Sequence, residues 1–263
     1  MTQQQPQIAA DASRRLKAGI FTSDLSVDEL YCLESMGFDP LGFVMGTSIY
    51  HVGIQFAMPK DNIELTVISG AMYQARTLAM GRMEEEAAIL EADGIVGVRF
   101  VVKFYDFGPD LLEFMAMGTA VRARDPQHSL RLPSGKPFTS DLSGEDFLKL
   151  RQAGYRPLHM SMGNCVYHVA RQSLGGFINK LGRNAEMENF TQGMYEAREL
   201  AMGRMEYEAQ QVGAKGIVGV KLEEKSFAWG SHVIEFFAVG TSVIREEGAP
   251  TPAVPGVVIP IQG

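Results

Sequence analysis

The sequence predicts an α+β fold, a tandem duplication of a small domain with a long helix packed on an antiparallel sheet. Three observations predict it. Thr22-Ser-Asp-Leu-Ser26 returns unchanged as Thr139-Ser-Asp-Leu-Ser143, and Met45-Gly-Thr-Ser-Ile-Tyr-His51 returns as Met162-Gly-Asn-Cys-Val-Tyr-His168, both at an offset of 117. The helical stretch from Met72 to Glu84 returns as Met194 to Glu206 at an offset of 122, so the second copy holds five extra residues. Each copy then closes on two apolar runs, marked by Gly94-Ile-Val-Gly-Val98 with Glu113, and by Gly216-Ile-Val-Gly-Val220 with Glu235.

These offsets divide the 263 residues into a polar, loose N-terminus (1–13), a first repeat (14–124), a linker (125–137), a second repeat (138–245) and a tail (246–263). Pro126, Pro133, Gly135 and Pro137 disfavour helix in the linker. Pro250, Pro252, Pro255 and Pro260 make the tail extended, and its apolar end suits contact with a partner or a neighbouring subunit.

Within each repeat the elements follow in order. Ser23 or Asp24 caps a short helix over about 26–36 that Gly37 ends, and Ser140 or Asp141 does the same before Gly154. Residues 41–52 read as a strand bent at Gly42 and Gly46. Met72, Ala75, Ala79, Met83, Ala87 and Leu90 step by three and four, which predicts a long helix over about 71–92. Met194, Ala197, Ala201, Met205, Ala209 and Val212 repeat the stripe. Gly81 and Gly203 interrupt these helices at about 1 kcal/mol each relative to Ala, which points to another backbone packing closely there. Strands over 95–105 and 111–121, then 217–227 and 233–243, complete the two units.

Composition excludes several functions. Twenty-four basic against 31 acidic residues leave a net charge of −7, which argues against nucleic acid or an anionic membrane as the main partner. Cys32 and Cys165 are too few for a disulfide framework or a cysteine-based zinc site. No run approaches the ~18 apolar residues of a membrane helix, and the start of the chain lacks the pattern of a secretory signal, so a cytoplasmic protein is expected.

The long helix running into Gly-Ile-Val-Gly-Val, then two strands of which the second ends in Gly118-Thr119 or Gly240-Thr241, resembles the YbjQ family. That family is also called UPF0145 and carries a heavy-metal-binding label. The resemblance covers the C-terminal two thirds of each repeat, and the front end is similar to longer, two-copy actinobacterial relatives. It implies a small α+β domain that assembles into five-fold rings, with no proven activity. Two-repeat chains cannot share a five-membered ring evenly, so the simplest closed form is a pentamer of chains stacking two rings.

The metal label finds little support in the residues. Of five histidines only His51 and His168 recur, so these two are the metal-ligand candidates. Cys165 and His168 stand three apart on a strand, which points them to opposite faces. Tyr50-His51 and Tyr167-His168 are the repeated polar pairs, either packed at a strand end or binding a ligand between subunits. Glu113 and Glu235 share a strand face with apolar neighbours and call for a buried partner, Arg76 or Arg82 in the first repeat and Arg198 or Arg204 in the second, in a structural or intersubunit ion pair. Arg82 with Glu86, and Arg204 with Glu208, are four apart and read as solvated helix pairs. No nucleophile elbow, phosphate loop or dinucleotide turn is present. The leading reading is therefore a non-catalytic oligomeric assembly or binding protein. A metal or small-ligand binder using the Tyr-His pairs ranks second, and an enzyme with an interface pocket at Tyr50, His51 and Glu113 ranks last.

Overall fold

The computed structural model describes residues 20–51, 62–105, 108–170, 188–225 and 232–249. The N-terminal stretch 1–13 and most of the proline-rich tail lie outside the described residues.

Helix α1 (Val27–Ser35) opens on a capping box. Ser26 Oγ accepts the Glu29 N–H at 3.2 Å, and the Glu29 carboxylate accepts the Ser26 N–H at 2.8 Å. The cap is thus Ser26, three residues past Ser23. Ser23 and Asp24 instead bond Thr119 on the sheet. Gly37, at φ 81°, turns the chain directly into β1 (Phe38–His51), which bulges between Pro40 and Gly42. β2 (Ile63–Glu64) leads into α2 (Thr66–Ile89), then β3 (Gly94–Tyr105) and β4 (Gly108–Ala123). The second repeat supplies β5 (Phe138–Thr139), α3 (Gly144–Gln152), β6 (Tyr155–His168), α4 (Glu188–Gln211), β7 (Gly216–Lys225) and β8 (Val233–Arg245). A single 3-10 turn, Pro126–His128, capped by Asp125, interrupts the linker.

Helix α2 starts five residues before its expected position. Its N-cap, Leu65, makes no side-chain cap, and the Leu65 N–H donates to Val166 O of the other repeat at 2.8 Å. A contact between repeats fixes this start, and no local signal announces it.

Among the described residues two four-stranded sheets result, ordered β1-β4-β3-β5 and β2-β6-β8-β7. The repeats exchange their shortest strands. β5 of repeat 2 runs parallel to β3, and β2 of repeat 1 runs antiparallel to β6. Each long helix covers one face of its own sheet. The close backbone approach lies on the strands, not at the helix glycines. A Cβ on Gly46 would stand 2.0 Å from Ala79 O, and one on Gly163 would stand 2.1 Å from Ala201 O. Gly81 and Gly203 have nothing within 4 Å of theirs, so they are not contact glycines within the chain.

Candidate functional site

The most elaborate buried arrangement in the described residues is the contact between the two repeats. Met72, Ala75, Ala79 and Met83 turn one stripe of α2 toward its own sheet. A second stripe of the same helix, Ser69, Tyr73, Arg76 and Met80, faces the outer side of the second sheet, where Met160, Met162, Val166 and Phe237 lie. Two buried stripes make α2 an interior helix with one sheet on each side.

At its centre Arg76 Nη1 lies 2.8 Å from Glu235 Oε1, with the two side chains 1% and 0% exposed. The guanidinium also stacks over the Phe237 ring at 4.1 Å and over Phe114 at 5.4 Å. The charges touch without an aligned hydrogen bond on either group. Such a pair adds little net stability over an apolar replacement, yet removing one partner strands a buried charge. The carboxylate that asked for a partner in repeat 2 thus finds it in repeat 1.

Further polar contacts fix the register. Asn164 Nδ2 donates to Ser69 O at 3.0 Å, and Ser69 Oγ accepts the Val166 N–H at 2.9 Å. Arg204 grips Glu64 with two bonds of 2.6 and 2.9 Å and also bonds Asn164 O. Burial alone would raise the Glu64 carboxyl, but the Arg204 guanidinium holds it below the ordinary carboxylate range. Glu208 accepts the Met162 N–H at 2.7 Å and the Tyr73 hydroxyl, and burial raises its carboxyl. Arg204 and Glu208 are therefore not the solvated helix pair that their spacing suggested. Arg82 and Glu86 also turn to the sheet, Arg82 to Thr47 O and Glu86 to the Met45 N–H. Each side chain reaches a strand group that sequence spacing cannot display.

Between α2 and α4 a cavity of about 560 Å³ opens, lined by Glu64, Tyr73, Asn164, Arg204, Tyr207 and Glu208 among others. Tyr50, His51 and Glu113 do not line it. Tyr50 Oη donates to Gln74 at 2.8 Å, and Tyr167 Oη donates to Glu196, the repeat equivalent of Gln74. Each tyrosine therefore ties a strand end to its own long helix. Burial first, then the Glu196 bond, raise the Tyr167 hydroxyl, while that bond lowers Glu196. His51 is exposed at the end of β1, whereas His168 is buried between Ile63 of β2 and Val233 of β8. Glu113 lies on β4, opposite Lys103 of β3 and Ile49 of β1.

The described residues of one chain do not assemble a metal centre. Among the described residues no three His, Cys, Asp or Glu side chains converge. Burial pushes the Cys165 thiol up to about 12, far from a thiolate ligand. Nor does any described helix have the length and apolar character to cross a membrane.

The sequence concealed the partners of Arg76 and Tyr73, although a signal existed. Both residues recur, as Arg198 and Tyr195, off the apolar stripe. A helix that repeats an aromatic and a cation beside its core face is offering a second face for contact.

Comparison with known proteins agrees with this organisation. A family model described as "Putative heavy-metal-binding" (YbjQ) matches residues 63–124 and 160–246. The Encapsulin nanocompartment protein Rv1762c of Mycobacterium tuberculosis is 47% identical over 241 residues, 92% of each chain. UPF0145 protein ACIAD2946 of Acinetobacter baylyi is 40% identical over 83 residues, 32% of this chain and 73% of its own length. UPF0145 protein DET1617 of Dehalococcoides mccartyi is 32% identical over 110 residues, covering 41% of this chain and 95% of its own length. Single-domain relatives thus align with one repeat's length, and the mycobacterial protein with both.

Proposed function

Since this chain belongs to the YbjQ family and carries its pattern twice, we propose that it is a non-catalytic assembly protein whose two repeats are building blocks of a closed oligomer. By its likeness to the encapsulin nanocompartment protein over nearly the whole of both chains, it belongs to a nanocompartment system in the cytoplasm. The observation that carries the reading is where this molecule places its buried charge. Arg76 and Glu235 meet between the repeats, with the strand exchange around them, so the elaborate part of the structure is a joint. The cavity beside that joint is framed by the bonded pairs Glu64–Arg204 and Tyr73–Glu208, whose polar groups are engaged in holding the repeats together.

Five copies is the number the family ring implies. Native mass spectrometry of the untagged chain then finds about five times the 28.8 kDa chain mass. A species of one or two chains at micromolar concentration contradicts the proposal.

A further inference from the structure

The contact between the repeats joins two different surfaces, and a second copy of each lies exposed among the described residues. In repeat 1 the outer edge of β3 is taken by residues 138–142. Phe138 N–H donates to Asp93 O at 3.0 Å and Ser140 N–H to Ile95 O at 2.9 Å. In return Val98 N–H donates to Ser140 O at 2.9 Å and Gly97 N–H to Leu142 O at 3.1 Å. β7 pairs with β8 in the register of β3 with β4, Ile217 opposite Ser242 as Ile95 is opposite Ala120. The same four groups, at Lys215, Ile217, Gly219 and Val220, therefore point to a side that no described strand takes, because β7 is the edge strand of its sheet among the described residues.

The equivalent of the docking segment is also present. Residues 21–25, Phe-Thr-Ser-Asp-Leu, repeat residues 138–142 without a change. They already hold the same pose on their own repeat. Ser23 and Asp24 bond Thr119 at 3.0 and 2.7 Å, as Ser140 and Asp141 bond Thr241 at 3.0 and 2.6 Å. What differs is the cover. Phe138 is 0% exposed and Phe21 48%; Val98 is 3% exposed and Val220 44%.

The seat for the missing ring survives. A Cβ on Gly94 would stand 2.0 Å from the Phe138 ring, so glycine there makes room for it. Gly216, its equivalent, has only a Val243 methyl, at 3.7 Å. The bland account of an exposed edge is a strand protected by charge. The charges of β7 lie at Lys221, Glu223, Glu224 and Lys225; at the part in question Lys215 stands at its start, as Asp93 does in the closed joint, while residues 216–220 carry none. The sheet faces show the same asymmetry. Ile49 on the outer side of the first sheet is 59% exposed, and its equivalent Val166, covered by α2, is 0%. Arg198 of α4, the equivalent of Arg76, rests over Tyr195 at 4.5 Å and bonds the exposed Glu199 carboxylate at 2.8 Å, a surface pair that a buried carboxylate can replace.

We propose that residues 21–25 of a second copy of this chain add to the free edge of β7, with Phe21 over Gly216, while the outer face of that copy's first sheet covers α4. Glu113 of one chain then meets Arg198 of the next, as Glu235 meets Arg76 within one chain. The contact is head-to-tail, so each chain uses both halves. Repeats then alternate along one circuit in place of two stacked rings. The copies are similar, not identical. A Cβ on Gly144 would stand 2.6 Å from Glu29 O, and the equivalent of Gly144 is Val27, so α1 of the next chain packs at a wider spacing.

This inference rests on the assembly reading, and the test separates the two. Gly216→Leu fills the seat of the ring, and the backbone of Gly216 lies outside the left-handed region that would resist a side chain. Phe21→Asp removes the ring instead. In native mass spectrometry of full-length chains, both variants should fall from the wild-type assembly to 28.8 kDa with unchanged circular dichroism. In a Cys32→Ser background, co-expressed Thr22→Cys and Ile217→Cys chains should oxidise to a covalent pair of chains, with neither variant doing so alone. Retention of the wild-type mass by both variants, or absence of that cross-link in an assembled sample, overturns the edge contact and leaves assembly standing. A wild-type chain that is itself monomeric overturns both.

Discussion

Gly46 and Gly163 stand where a strand backbone nearly touches a helix backbone, while Gly81 and Gly203 stand in open space. Gly46→Ala should therefore force strand and helix apart and destabilise the fold by about 2–3 kcal/mol in chemical denaturation. Gly81→Ala should be neutral or stabilising by about 0.5–1 kcal/mol, since helix propensity favours alanine and nothing obstructs it. The opposite ranking would mean that the helix glycines make the contact after all. Sequence spacing showed that a close approach exists and assigned it to the wrong glycines, because both pairs recur, Gly46 as Gly163 and Gly81 as Gly203, and recurrence does not say which pair makes the contact. Arg76 and Glu235 were legible as a charged pair in search of partners, and only the fold joined them across repeats. Arg76→Ala or Glu235→Ala should each cost about 3–5 kcal/mol, and an Arg76→Met/Glu235→Leu double variant should recover most of it. Equal loss in the double variant would show that the charge itself is required.

At the scale of elements, the long helices were readable from their apolar stripes and the long strands from their apolar runs, even β7, which buries no residue within the chain. β2 and β5 were not. Each has two residues, belongs by sequence to one repeat and pairs with the other, so no alternation or composition marks it. β5 is held by Thr139, whose hydroxyl accepts the Met160 N–H at 2.8 Å and lies 3.2 Å from His159 Nδ1. Burial, and then the charge of Lys136, lower the His159 imidazole to about 4. The folded chain thus keeps it neutral where the unfolded chain, with an ordinary value near 6.5, takes up a proton. This contribution to stability is complete above pH 6.5 and shrinks as the pH falls toward 4, by about 2 kcal/mol at pH 5. Thermal unfolding at pH 7.5 and pH 5 should show a smaller difference in His159→Gln than in the wild type. An identical difference in the two proteins would remove His159 from the pH response.

For the whole molecule, duplication explains both what is finished and what is exposed. One joint between repeats is closed within the chain, with its buried ion pair, exchanged strands and seated Phe138 ring. The surfaces that would make the same joint again lie on repeat 1 and on β7 with α4 of repeat 2. A repeated sequence displays this logic only in part, since it shows that the surfaces are alike and not which of them the chain itself covers. The two histidines that a metal label draws attention to stand apart in environment, His51 exposed and His168 buried, and the structure invests its polar chemistry elsewhere. The most direct test of assembly through this joint is native mass spectrometry of the untagged wild-type chain beside Gly216→Leu. The account predicts about five chains for the wild type and a folded single chain for the variant. A wild-type chain of 28.8 kDa, or a variant that keeps the full assembly, would contradict it.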